Sequence, residues 1–124
     1  MESEITLVIA DDHPMVRAGL KSMLSDSRIK IVGEANNGRE ALEMVTKLKP
    51  KVILMDIRMP DMDGIQALEA IKTAKLDTRV IMVTTYRSTA YLLRSLSAGA
   101  AGFVLKDISR EELLARSEER RVGK

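Results

Sequence analysis

Five side chains that could do polar chemistry stand directly behind short apolar runs. Asp11 and Asp12 follow Ile5-Thr6-Leu7-Val8-Ile9-Ala10, Asp56 follows Val52-Ile53-Leu54-Met55, Thr84 follows Val80-Ile81-Met82-Val83, and Lys106 follows Gly102-Phe103-Val104-Leu105. Brought together, three carboxylates repel one another and call for a cation. With 1 His and 0 Cys in the chain, the donors are oxygens, which select a hard ion such as Mg²⁺. A hydroxyl and an ammonium facing that ion suit an anionic, phosphate-like group. No Gly-rich phosphate loop is present, since Gly33 and Gly38 are isolated and no Gly-Lys-Ser/Thr occurs. A covalently attached phosphoryl group therefore fits better than a bound nucleotide. Asp56 is the central carboxylate to carry it, because carboxylates can act as nucleophiles and form aspartyl phosphates.

Each residue alone has an ordinary reading. Asp11, Asp12 or His13 could cap a helix opening at Pro14, whose missing N–H costs nothing in a first turn. Lys106 could be a solvated loop charge, and Phe103 ordinary core. What would make them a site is the set of elements that positions them. The apolar runs are continuous rather than alternating, so they read as strands buried on both faces. A further strand spans 29–32, closed by the segment from Gly33 to Gly38. Helical spacing recurs between the strands: Val16, Leu20, Met23 and Leu24; Ala41, Leu42, Val45 and Leu48, ended before Pro50; Ile65, Leu68 and Ile71; Leu92, Leu93 and Leu96, closed at Gly99; then Ile108, Leu113 and Leu114. The order is strand then helix, five times over. That is an α/β chain with a doubly wound, open, five-stranded parallel sheet, too short for an eight-stranded barrel. Such sheets bind at the carboxyl ends of their strands, where the three acids, the hydroxyl and the ammonium all lie.

Composition narrows the function further. A length of 124 residues suits one domain, and 45% hydrophobic residues can fill a core without disulfides. Two Tyr and one Phe leave no base-stacking platform. No apolar run approaches the roughly 20 residues of a membrane span, and the start Met1-Glu2-Ser3-Glu4 is no secretory signal, so a cytoplasmic location is expected. Arg116, Arg120, Arg121 and Lys124 against Glu118 and Glu119 account for the whole net charge of +2. The body of the chain is therefore neutral and shows no electrostatic footprint for DNA.

Taken together, Asp11-Asp12, the stretch Met55-Asp56-Ile57-Arg58-Met59-Pro60-Asp61-Met62-Asp63-Gly64, Val83-Thr84-Thr85 and Gly102-Phe103-Val104-Leu105-Lys106 resemble a response-regulator receiver domain, the CheY-like, flavodoxin-like fold. The start Asp11-Asp12-His13-Pro14 and the stretch from Leu96 to Asp107 are similar to two-component transcription factors of the NarL/FixJ type. The resemblance covers residues 5 to 115 and implies strand order 2-1-3-4-5. It implies that Asp56 accepts a phosphoryl group from a sensor histidine kinase, without the chain being an enzyme in the turnover sense. Asp11, Asp12, Asp56 and the main-chain carbonyl of Arg58 would hold Mg²⁺. Thr84 and Lys106 would contact the phosphoryl oxygens, and Phe103 would be the aromatic switch beside Thr84. Residues 1–116 are expected to form the receiver unit. Residues 117–124 are expected to be a polar tail, with the helix-turn-helix output domain, and DNA binding with it, missing from the chain.

Two other classes share parts of this pattern. A haloacid-dehalogenase-type phosphatase also uses an aspartyl phosphate. It wants Asp-x-Asp after its first strand, where this chain has adjacent acids, and a cap insertion that is missing. A flavin-binding flavodoxin-like protein wants a phosphate loop and ring-stacking aromatics. Weaker signals remain. Met15, Ala18, Gly19 and Ser22 form an outward face of the first helix that could support a homodimer on phosphorylation, in competition with the face beside Phe103. Arg87 opens the fourth helix with a positive charge. Ser117, Glu118 and Arg121 stand where the fifth helix should continue its apolar face.

Overall fold

The computed structural model describes residues 4–85 and 87–119. Five strands alternate with five helices in strict order: β1 (Ile5–Ala10), α1 (Pro14–Met23), β2 (Ile29–Ala35), α2 (Gly38–Leu48), β3 (Val52–Met55), α3 (Gly64–Thr73), β4 (Arg79–Thr84), α4 (Thr89–Ser97), β5 (Gly102–Leu105) and α5 (Arg110–Glu118). The strands are all parallel and lie in the order β2-β1-β3-β4-β5. The chain reverses direction across the sheet between β1 and β3, and the carboxyl ends of those two strands bound the crevice that such sheets use for binding.

Alternation along each central strand divides the core into two layers. Val8, Ala10, Ile53, Met55, Val80 and Met82 face α2 and α3, with Tyr91 of α4 and Phe103 packed against them. Ile9, Leu54, Ile81 and Val83 face Leu20 of α1, Leu24 just past its end and Leu113 of α5. Coverage of both faces is why the strands read as unbroken apolar runs.

The helix starts follow local capping chemistry. Asn37, Ser88 and Ser109 accept from the backbone N–H three residues on, and Asp63 forms a capping box with Gln66. Helix α1 begins on Pro14, and His13 makes no side-chain cap, so the capping reading of His13 does not hold. The sequence reading is also short at β2, which runs on through Gly33 to Ala35 rather than closing at Val32. The ladder with β1 slips between Leu7 and Val8 to absorb the extra residue. Gly33 is no breaker here. A Cβ there would crowd the Met44 sulfur, so the missing side chain admits α2. At the end of α4, Gly99 takes φ +98, as expected of a glycine just past a helix. Helix α5 continues two residues past the boundary expected at 116, and Ser117 is fully buried rather than part of a tail. Residues 120–124, including Arg121, lie outside the described residues. No helix among the described residues is long and apolar enough to cross a membrane.

Candidate functional site

The acids and the ammonium meet at the carboxyl edge. Strand β1 pairs with β3 so that Ala10 lies beside Met55, and the next residues on each strand are Asp11 and Asp56. The backbone N–H of Asp56 donates to Ala10 O at 2.9 Å, which fixes the step between the two acids. Both are buried, Asp11 to 1% exposure and Asp56 to 5%. Leu105 pairs with Thr84, and the Lys106 N–H donates to Thr84 O at 2.9 Å. The lysine side chain turns into the site, where Nζ lies 2.7 Å from Asp11 Oδ2 and 3.3 Å from Asp56 Oδ2. Asp56 Oδ1 accepts from the Ile57 N–H at 2.9 Å.

Burial pushes the Asp56 carboxyl above the ordinary aspartate range. Lys106 draws it back in part, and Asp11 adds to the rise. For Lys106, burial works to lower the ammonium, but contact with Asp11 and Asp56 outweighs it and holds the group above its ordinary value. The lysine therefore stays charged, and one ammonium is shared between two buried carboxylates.

Asp12 is part-exposed and adds a third carboxylate. Ligand atoms of Asp11, Asp12, His13 and Asp56 all lie within 4.8 Å of one another. Asp12 Oδ1 is buried and accepts no hydrogen bond, and its charge neighbour is His13 Nδ1 at 3.0 Å. Asp11 Oδ2, also buried, has the Lys106 ammonium at 2.7 Å as its partner. Three carboxylates against one ammonium leave the cluster under-neutralised, with buried oxygen lone pairs unused. A hard divalent cation fits that donor set. Arg58 is exposed at the mouth. It lines an open depression of about 470 Å³ together with Asp12, Met59, Tyr91 and Arg94.

Thr84 is fully buried at the end of β4, two residues beyond Met82, which pairs with Met55. Period-two alternation puts its side chain on the Met82 face of the sheet. Phe103 pairs with Met82 and is half-buried in the same layer, diagonal to Thr84. The structure thus gathers Asp11, Asp12, Asp56 and Lys106 directly, with Thr84 and Phe103 on the adjoining strands and Arg58 at the rim.

Several supporting residues escaped the sequence reading. Gly64 opens α3 against the main-chain carbonyl of Asp56, where any Cβ would overlap it, and its N–H donates to Ile57 O at 2.8 Å. Gly38 opens α2 against Met62 O in the same manner. Between them Asp61 takes a left-handed φ of 71° while Arg39 grips its carboxylate at 2.8 and 3.2 Å. Arg17 reaches from α1 to the Asp11 carbonyl. The signal available in the sequence was a charged residue set beside the apolar stripe of Val16 and Leu20.

These features define a receiver domain, and the comparisons agree. The response regulator receiver domain family matches residues 7–118, and the chain belongs to it. Within the family its likeness is to NarL-type transcriptional regulators. It is 41% identical over 112 residues to the "Probable transcriptional regulatory protein NarL" of Mycobacterium tuberculosis, covering 90% of this chain and 52% of that protein. It is 34% identical over 119 residues to the nitrate/nitrite response regulator protein NarL of Escherichia coli K12, covering 95% of this chain and 55% of that one. The chain thus spans about half the length of the curated relatives it matches. The solved signal receiver domain of the M. tuberculosis NarL superposes with a TM-score of 0.88 at 37% identity, covering 96% of this chain and all of that one. The CheX–CheY–BeF₃–Mg²⁺ complex of Borrelia burgdorferi gives 0.86 at 27% identity, covering 92% and 87%. The shared fold is the doubly wound sheet expected from the alternation.

Proposed function

We propose that Asp56 accepts a phosphoryl group from a sensor histidine kinase and that the change is relayed to a transcriptional output domain. One observation carries the reading: the Lys106 ammonium straddles two buried carboxylates that a third, Asp12, joins at the mouth. Asp11, Asp12 and Asp56, with the main-chain carbonyl of Arg58, would hold Mg²⁺, which supplies positive charge against the phosphoryl oxygens. The B. burgdorferi CheY complex, which contains both Mg²⁺ and BeF₃, supports that assignment.

An Asp56 carboxylate oxygen attacks phosphorus. The new bond is Oδ–P, the bond broken is N–P in the phosphohistidine, and the departing imidazole keeps the electron pair and takes up a proton. Phosphoryl transfer asks for positioning and charge neutralisation rather than covalent help. Lys106 provides fixed charge, already within 3.3 Å of Asp56 Oδ2. Once modified, Asp56 carries a larger group of higher charge. Thr84 then donates its hydroxyl to the new oxygens, and Phe103, its neighbour on β5, takes up the space vacated. The outer face beside Phe103 changes shape, and self-association through that face or through α1 follows. A kinase partner, a cytoplasmic location and DNA contact only through the output domain complete the reading.

The test is intact mass after treatment with acetyl phosphate and Mg²⁺. One phosphoryl group should add to the chain and none to Asp56→Ala. An Asp56→Ala chain that still gains one phosphate sinks the assignment.

A further inference from the structure

We propose that Arg17 is a positioning residue for the metal-holding acids and that Glu34 is there to neutralise it. This rests on the reading of Asp11, Asp12 and Asp56 as the cation site. The guanidinium makes three bonds, one to the turn after β1 and two to the end of β2 and the residue that follows it. Nη1 donates to the Asp11 carbonyl at 2.6 Å and to Asn36 Oδ1 at 2.9 Å, and Nε donates to Glu34 Oε1 at 3.0 Å. The Arg17 side chain is only 13% exposed; its bonds to the Asp11 carbonyl and Glu34 are part-buried, while the one to Asn36 is open to solvent.

The Asp11 carbonyl belongs to the peptide that joins Asp11 to Asp12. Holding it fixes how the two carboxylates are presented relative to each other. The rest of the turn leans on the same residues: the Asp11 N–H donates to Ala35 O, and the His13 N–H donates to Asp11 Oδ1. Ala35 ends β2 and Asn36 follows it, so Arg17 also ties the end of β2 to the end of β1 from the α1 side. Groups that orient ligands without touching the ion commonly matter for affinity.

A cation so close to a cation site ought to oppose it. Glu34 resolves the conflict. It takes Arg17 on Oε1 and Lys21 on Oε2 at 2.8 Å, and Lys21, then Arg17, hold its carboxyl below the usual range against the cost of burial. With Glu34 ionised, Arg17 acts as a hydrogen-bonding strut and its charge is answered locally. Arg17 and Glu34 therefore form a unit with two separable parts: the fork that orients the Asp11–Asp12 turn, and the carboxylate that hides the fork's charge.

The parts separate by substitution, with Mg²⁺ affinity measured by calorimetry on the intact chain and cross-checked with Mn²⁺ by electron paramagnetic resonance. Arg17→Met should weaken binding about tenfold, the lower end for residues that orient ligands. Arg17→Lys should do nearly the same, because it keeps charge but cannot span three acceptors. Glu34→Gln keeps the fork and bares the charge, so its loss should be about threefold at low salt and shrink as salt is added. The double variant Arg17→Met/Glu34→Gln should be no worse than Arg17→Met. Val45→Ala, a cavity in the α2 layer, is the control for simple destabilisation and should leave Mg²⁺ affinity unchanged. If Arg17→Met does not fold, Arg17→Lys and Glu34→Gln decide the question. Wild-type affinity lost in Asp12→Ala but untouched in Arg17→Lys and Glu34→Gln overturns the inference alone. A loss in Val45→Ala equal to that in the Arg17 variants also overturns it. A wild-type chain that takes up no Mg²⁺ overturns the reading beneath it.

Discussion

At the ends of β1 and β3, each turn that carries an acid is tied to a second element. Arg17 and Ala35 hold the Asp11 turn, Gly64 lies against the Asp56 carbonyl, and Arg39 grips Asp61 from α2. Beyond the ends of β4 and β5, several described side chains stand open to solvent. Phe103 is half-buried, Leu93 and Leu96 of α4 are 58% and 52% exposed, and Arg87 meets Asp107 at 3.4 Å with both side chains about three-quarters in solvent. On the proposed function the two halves have different physical tasks. Gathering like charges demands preorganisation, since a loose turn would let the carboxylates spread apart. A relay demands the opposite, an element with a second arrangement close in free energy. The division runs between β3 and β4, and the Lys106 ammonium reaches from the loose half into the braced one.

The strongest way to break the braced half is Gly64→Ala. Its Cβ would overlap the main-chain carbonyl of Asp56, and backbone on both sides of the contact cannot yield as a flexible side chain would. A loss of about 3 kcal/mol is expected, the upper end for overpacking. Chemical denaturation measures it. A loss below about 1 kcal/mol, the lower end for overpacking, would mean the β3–α3 turn is free to move.

The next effect separates burial from pairing. Asp56 titrates above the ordinary range, chiefly because burial disfavours its charged form. A carboxyl raised on folding stabilises the fold while protonated and costs stability once ionised. Asp56→Asn in metal-free buffer should therefore be more stable than wild type at neutral pH. The difference should fade as pH falls through the raised folded-state value and vanish below the unfolded carboxylate range. Denaturation midpoints of both chains across that range are the measurement. If Asp56→Asn is the less stable protein at neutral pH, pairing with Lys106 outweighs burial.

The sequence exposed the loose half and the acids better than it exposed the bracing. Continuous apolar runs ending in Asp11, Asp56, Thr84 and Lys106 are local patterns, and the topology follows from their alternation with helices. The braces are not local. Arg17 meets Glu34 and Asn36 across 17 and 19 residues, and Arg39 meets Asp61 across 22. Such pairs exist only once the sheet order is set. Gly33 read as a stop because glycine weakens a lone strand, whereas here a helix needs the space it leaves. Ser117 read as the loss of an apolar face, yet a serine is small enough to bury at full depth beneath α5. Its carbonyl, with that of Arg116, accepts from the Arg79 guanidinium, so the helix end is held through polar contacts that apolar periodicity does not reveal.

The smallest expected effect is the sharpest comparison, because both halves carry an exposed Arg–Asp pair near the site. Arg39 meets Asp61 with two nitrogens on two oxygens, at 2.8 and 3.2 Å, over a backbone held at φ 71°. Arg87 meets Asp107 through a single contact at 3.4 Å, with neither backbone among the left-handed residues. Charge count is equal, so a purely electrostatic account predicts equal losses on truncation. The geometric account predicts otherwise. A single exposed contact gains little and is screened, so Arg87→Ala should change stability by no more than about 0.5 kcal/mol, at low salt or high. Arg39→Ala should cost more, because the fork also restrains a loop in a left-handed conformation that is uncommon for non-glycine residues, aspartate being among the more tolerant. Parallel denaturation of the two variants at low and high salt resolves this. Equal losses that shrink together with salt would erase the distinction between the braced and the loose half at the surface, leaving only the buried contacts to support it.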